Sequence, residues 1–188
     1  MSAALARIRE VVPTDRFVVL DTETTGIDYG AEIVQIGIID PRGETLIDTL
    51  VRPTRSIPPD ATAIHGITDA MAAGAPTMPD LKDAILEAIR GRTVVIYNAE
   101  YDMRLLHQSM RAHRQVVNWR EEASRWLCAM LAYAEYRGEP GRRSGEFKWH
   151  RLDAAVRHEG LTVVADHSAI GDCRATLALV RRMAESIP

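Results

Sequence analysis

Two cysteines are all that this 188-residue chain carries, Cys128 and Cys173, far apart and without C-x-x-C spacing. That excludes a disulfide framework and argues against a zinc site, leaving a reducing cytoplasm as the default compartment. Long apolar runs are missing as well. None approaches the roughly 18 residues that span a bilayer, so no membrane partner is expected. The N-terminal stretch MSAALARIRE places charges inside its only apolar segment and so lacks the apolar region of a secretory signal. Internal repeats, low-complexity tracts and Gly/Ser linkers are also absent, which suits one domain over residues 1–188. Nor is there a basic excess: the formal net charge is −3. That argues against a protein that coats nucleic acid. The objection weakens if some of the acid holds metal, since two divalent cations would bring −3 to +1.

What is present is ordinary material for a folded domain, 46% hydrophobic and 26% charged, in a chain long enough to bury a core without staples. The run FVVL at 17–20 ends at Asp21 and reads as a strand entering a turn. Segments 33–39 and 44–51, joined by Pro-Arg-Gly at 41–43, predict a hairpin. A proline-rich connection from Pro53 to Pro79 follows, and its segment AIHGITDAM is assigned no structure. From Pro79 the period turns helical, with Leu81, Ile85, Leu86 and Ile89 on one stripe ending at Gly91. TVVIY at 93–97 predicts a buried strand, followed by a helix carrying Met103, Leu105, Leu106 and Met110. Residues 121–136 predict a third helix, 138–149 a polar loop, and 151–158 and about 168–184 two closing helices. The sum is an α/β fold, a mixed sheet with helices on its faces.

Asp21 and Glu23 stand two apart on an extended segment and therefore share a face, with Phe17 and Val19 leading into them. Two carboxylates this close stay ionised most easily with a cation between them. An acidic turn reversed by Gly26 accounts for the same residues. Asp102 follows Asn98 by four positions, which puts both on one face if a helix begins by Asn98. A helix-dipole role would explain Asp102 equally. His167 and Asp172 are about 140° apart on a helical wheel. They converge only if His167 lies on the loop before a helix capped by Ser168 and Asp172 lies in its first turn; capping alone would also explain the histidine.

In combination, D-T-E-T-T-G at 21–26, N-A-E-Y-D at 98–102 and H-S-A-I-G-D at 167–172 resemble the DEDDh exonucleases in order and context. That family includes the proofreading subunit of bacterial DNA polymerase III. I-H-G-I-T-D at 64–69, L-D-A-A-V-R at 152–157 and A-T-L at 175–177 match further, so the likeness covers most of the chain. It implies a ribonuclease H-like fold and a 3′→5′ exonuclease that releases nucleoside 5′-monophosphates. It implies two Mg²⁺ or Mn²⁺ ions held by Asp21, Glu23, Asp102 and Asp172, with His167 as general base. Oxygen-only ligands suit those hard cations, and ions about 4 Å apart can serve both the attacking water and the leaving oxygen.

By the same resemblance, Thr24 and Thr25 meet the terminal 3′-hydroxyl, while Ile64, His65 and Tyr101 line the pocket of the last nucleotide beside Asn98. Tyr101 stands where phenylalanine is common and keeps a stacking face. His65 could equally be a structural histidine, and the loop with Arg142, Arg143, Lys148 and Trp149 either a solvated loop or a nucleic-acid contact. The expected partner is a nucleic acid 3′ end, DNA before RNA, in single strands or frayed ends. An exoribonuclease is the nearest alternative, since nothing here reads a 2′-hydroxyl. A non-catalytic polymerase-associated module is the other. The related proofreading subunits bind their polymerase through a tail beyond the nuclease domain, and no such tail is expected here.

Overall fold

A computed structural model describes residues 3–185 of the chain. Its centre is a five-stranded mixed sheet in the order β3-β2-β1-β4-β5. The strands are β1 (Phe17–Thr24), β2 (Ile33–Ile39), β3 (Thr45–Leu50), β4 (Thr93–Ile96) and β5 (Arg125–Cys128). The first three form an antiparallel meander, as the two β-branched runs and the turn between them require. β4 and β5 add parallel to β1, each after a helical crossover.

Alternation along β1 builds two cores at once. Phe17 and Val19 face a layer made by α1 (Ala3–Val11), α7 (Ala129–Arg137), α8 (Leu152–His158) and α9 (Ala169–Glu185). Val18 and Leu20 face the other layer, made by α4 (Met78–Ile89), α5 (Ala99–Ala112) and α6 (Trp119–Glu122). Isoleucines and valines fill both sides, as expected of strands buried on both faces.

Three differences from the sequence reading stand out. The helix expected over 121–136 is instead α6, then β5, then α7. The apolar spacing through Leu127, Met130 and Leu131 mimics a helix, but Arg125–Cys128 pairs with Thr93–Ile96 in register. The exposed edge of β4 outweighs local preference. The proline-rich connection holds two short helices, α2 (Pro59–His65) and α3 (Asp69–Ala72), which pack Ala61, Ile67 and Ala72 into a small third core. β1 also runs past FVVL to Thr24, so the acidic motif lies in the strand and not beyond it.

Candidate active site

The site forms where β1 leaves its apolar half. Phe17–Leu20 is fully buried, and the next four residues continue the strand with Asp21 and Glu23 at odd positions and Thr22 and Thr24 at even ones. Asp21 and Glu23 therefore point toward α9, and the threonines toward α5. Pairing with β2 shifts register between Glu23 and Thr24, a bulge that re-aims the strand end.

On the α9 side, Gly37 of β2 lies opposite Asp21. A Cβ at Gly37 would sit 2.8 Å from the Ala169 carbonyl carbon, so glycine is what lets the start of α9 touch the sheet. Gln35 Oε1 accepts the Ala169 N–H at 3.1 Å and fixes the helix there. This close approach brings Asp172, in the first turn, to the carboxylates of β1. His167 sits on the preceding loop with φ 58°, a left-handed conformation that histidine adopts only at a cost. A tight turn holds it: Asp166 Oδ1 accepts from the Ser168 N–H at 3.1 Å and its hydroxyl at 2.7 Å. Ser168 Oγ in turn caps the helix by accepting from Gly171 N–H at 3.1 Å. Glu23, His167 and Asp172 end up offering ligand atoms all within 4.8 Å of one another.

On the α5 side, Thr22, Thr24, Tyr101 and His65 each have a hydrogen-bond partner. Thr22 donates to Asp102 Oδ1 at 2.8 Å and sets that buried carboxylate at the end of the sheet. Tyr101 donates to the Gly26 carbonyl at 2.8 Å and lies 2.6 Å from Thr24 Oγ1, while Arg104 stacks 5.3 Å from its ring centroid. His65 Nδ1 accepts the Ile67 N–H at 3.0 Å, so its Nε2 carries the proton and donates to the Thr24 carbonyl at 3.2 Å. Burial and the neighbouring His167 lower the His65 pKa, against the Thr24 carbonyl, which raises it. The hydroxyl of Thr25 is turned inward, accepting from Glu32 N–H at 3.0 Å. Ile64 is exposed on α2 beside His65. Asn98 precedes α5 and lines a cavity shared with His167 and Asp172.

Electrostatics mark the centre as short of positive charge. Burial, reinforced by Asp172, Asp102 and Asp166, pushes Glu23 up to about 8. Burial also carries Asp102 up to about 7, even though Thr22 works the other way. Asp21 is raised well above the carboxylate range by burial, then by Asp102, Asp172 and Glu23. Asp172 is raised by burial too, and its Oδ1 is buried with no hydrogen-bond partner. Four carboxylates that cannot comfortably share one negative site, with an orphaned oxygen among them, fit divalent cations and no ordinary ligand.

Thr22, Gln35, Gly37 and Asp166 all position this site, yet none stood out in the sequence. Only Gly37 carried a signal, a glycine inside a strand, which marks close backbone approach.

The family model described as Exonuclease (RNase_T) matches residues 18–180. An exonuclease of Escherichia phage 186, CP81, is 45% identical over 184 residues, which cover 95% of this chain and 93% of that protein. The chain spans only 24–66% of the length of several other curated relatives that it matches at 32–35% identity. Exonuclease X, solved in complex with 5′ overhanging duplex DNA, superposes with TM-score 0.64 at 29% identity and covers 89% of this chain and 90% of its own. The nuclease domain of 3′hExo, a DEDDh family member solved with rAMP, gives TM-score 0.71 at 14% identity over 90% of this chain and 91% of its own, a likeness of fold.

Proposed function

Since the chain belongs to this exonuclease family, with the ribonuclease H-like fold of its DEDDh members, we propose that it removes nucleotides one at a time from DNA 3′ ends. The observation that carries the reading is the meeting of Glu23, His167 and Asp172 within 4.8 Å, beside Asp21 and Asp102. DNA is favoured over RNA because the relative at 29% identity was solved with a DNA duplex bearing an overhang. A site at the end of a strand, walled by two helical layers, suits a terminus that is single-stranded or frayed.

Asp21, Glu23, Asp102 and Asp172 would hold Mg²⁺ or Mn²⁺, two ions in all, because the set offers oxygen donors alone. Bound there, the ions supply Lewis acidity to the attacking water and to the leaving 3′ oxygen. His167, within 4.8 Å of Glu23 and Asp172, takes the proton of that water as general base. The water oxygen bonds to phosphorus as the P–O3′ bond breaks, leaving a nucleoside 5′-monophosphate and a strand one residue shorter. Thr22 keeps Asp102 oriented. Thr24, Thr25, Ile64, His65, Asn98 and Tyr101 receive the terminal nucleoside, and the Tyr101 ring supplies a stacking face. His65 reaches this pocket by holding the Thr24 carbonyl.

The test is a strand labelled at its 5′ end, in matched DNA and RNA versions. With Mg²⁺ or Mn²⁺ the DNA should shorten as a ladder, and with chelator it should not change. Release of the labelled 5′ mononucleotide at the outset overturns the polarity, and faster loss of the RNA overturns the substrate. Asp21→Asn should lose both activity and most of the rise in melting temperature that divalent cation gives the wild type. If both proteins respond identically to the cation, Asp21 is not a ligand.

A further inference from the structure

A cavity of about 360 Å³ opens from His167 and Asp172 on the side of the sheet away from Tyr101. Its walls are Tyr97, Met130, Trp149 and Leu152, and its size is in the range that holds one small organic ligand. The proposed reaction uses its mouth, at Asn98, His167 and Asp172, and not these four walls. Trp149 is 64% exposed at its rim, unusual for the largest apolar side chain. The other two tryptophans, Trp119 and Trp126, pack into the opposite core.

The backbone that carries Trp149 is closed on itself. Trp149 ends an arm over residues 139–149 that is closed by backbone bonds from Gly141 N–H to Glu146 O at 2.8 Å and from Lys148 N–H to Glu139 O at 2.9 Å. The Tyr97 hydroxyl, itself in the cavity wall, donates to the His150 carbonyl at 2.7 Å and pins the arm's base. The arm carries three basic side chains, Arg142, Arg143 and Lys148, against two acidic ones, Glu139 and Glu146. An exposed indole on a closed arm, with Arg142, Arg143 and Lys148 in the same segment and His167 in the same cavity, is suited to a base attached to a phosphate backbone.

The alternation of β1 says which base. A phosphodiester at Glu23, His167 and Asp172 carries one nucleoside on each side. On the exonuclease reading above, upon which this rests, the terminal nucleoside lies on the α5 side with Thr24 and Tyr101. Its neighbour then faces the α9 side, where the cavity begins. The geometry points to this cavity as the seat of the nucleobase immediately 5′ of the scissile phosphate, with Trp149 as its stacking face and Arg142 and Arg143 toward the next phosphates.

The experiment compares two 5′-labelled oligodeoxythymidylates, one normal and one lacking the penultimate base. Wild type, Trp149→Ala and Trp149→Phe are each assayed for release of the first nucleotide. Loss of a stacked base should lower wild-type kcat/KM roughly 5- to 150-fold. Trp149→Ala should already be slow on the normal strand and lose little more on the abasic one, while Trp149→Phe keeps most of the difference. Alongside, tryptophan fluorescence is followed as a strand with a terminal phosphorothioate is added in Mn²⁺. Wild type should be quenched and Trp149→Phe should not. If wild type and Trp149→Ala lose the same factor on the abasic strand, the subsite is wrong although the exonuclease stands. If wild type shortens neither strand, the exonuclease reading fails and takes the subsite with it, and quenching through Trp149 then shows only that the indole stacks a nucleobase. Absence of quenching overturns the subsite in either case.

Discussion

The two faces of β1 end in opposite states. Toward α5, Thr22, Thr24, Tyr101 and His65 are bound to one another or to backbone, so that face is complete as it stands. Toward α9, Asp21, Glu23 and Asp172 crowd together, one carboxylate oxygen has no partner, and His167 is held in a left-handed backbone. A satisfied network is rigid and suits the recognition of a neutral, shaped group. An unsatisfied acidic cluster stores repulsion that a bound cation or a proton relieves. On the proposed function, one strand thus carries recognition and chemistry on alternate residues.

Breaking the α9 face should cost most. His167→Ala should lower the rate of nucleotide release about 10²–10⁴-fold by deleting a general base, with cation binding retained in thermal melts. The acid limb of the pH–rate profile should vanish with it. A mutant that keeps that limb assigns the base to another group.

Gly37→Ala comes next. The added methyl would lie 2.8–3.0 Å from the Ala169 and Ile170 backbone, and overpacking of this kind costs about 1–3 kcal/mol. Because it pushes α9 away from the sheet, activity should fall further than stability explains. Denaturant titration and initial rates on one preparation test the pair, and a Gly37→Ala variant of full stability and activity shows that the close approach is dispensable.

The acidic cluster also sets a pH dependence. Its members are protonated more readily in the folded chain than in the unfolded one, since Glu23 is raised to about 8 and Asp102 to about 7. The folded state therefore binds more protons across the interval from about 4 to about 8, and stability falls as pH rises through it. In chelator the melting temperature should drop between pH 5 and pH 8. Divalent cation at a hundredfold excess over its Kd should restore about 2.7 kcal/mol at pH 8, or roughly 5–10 °C for a chain of this size. A metal-free protein most stable at pH 8 contradicts the assignment.

Tyr101→Phe should do least. It removes a hydroxyl bonded to Gly26 and beside Thr24 but keeps the ring, so about 0.5–1.5 kcal/mol of stability should go. The change in kcat should be small. A large fall in kcat at unchanged stability would give the hydroxyl a part in the reaction.

How much of this was legible depended on sequence distance. Asp21 and Glu23 could be paired because a strand repeats every two residues, and the structure puts them on the Phe17–Val19 face as that period demands. His167, Ser168 and Asp172 could be arranged by helix-start rules, and they are so arranged. The single helix expected over 121–136 failed because its apolar spacing satisfies a helix locally, whereas Arg125–Cys128 finds an open strand edge some thirty residues away. Thr22 donating to Asp102 spans 80 positions, and Gln35 accepting from Ala169 spans 134. No local rule reaches that far.

By itself the sequence determined the chemistry on offer: which residues are acidic, in what order, on which side of a strand, and the family whose pattern they resemble. Tertiary structure alone decided that the four carboxylates share one buried place, because their mutual repulsion exists only once Gly37 admits α9 and Thr22 fixes Asp102. It decided equally that the exposed Trp149 stands at the rim of a cavity, because Tyr97, just after β4, pins the base of the arm that carries it. Charge and period are properties of neighbours along the chain. Burial and crowding belong to residues that meet only when the sheet closes.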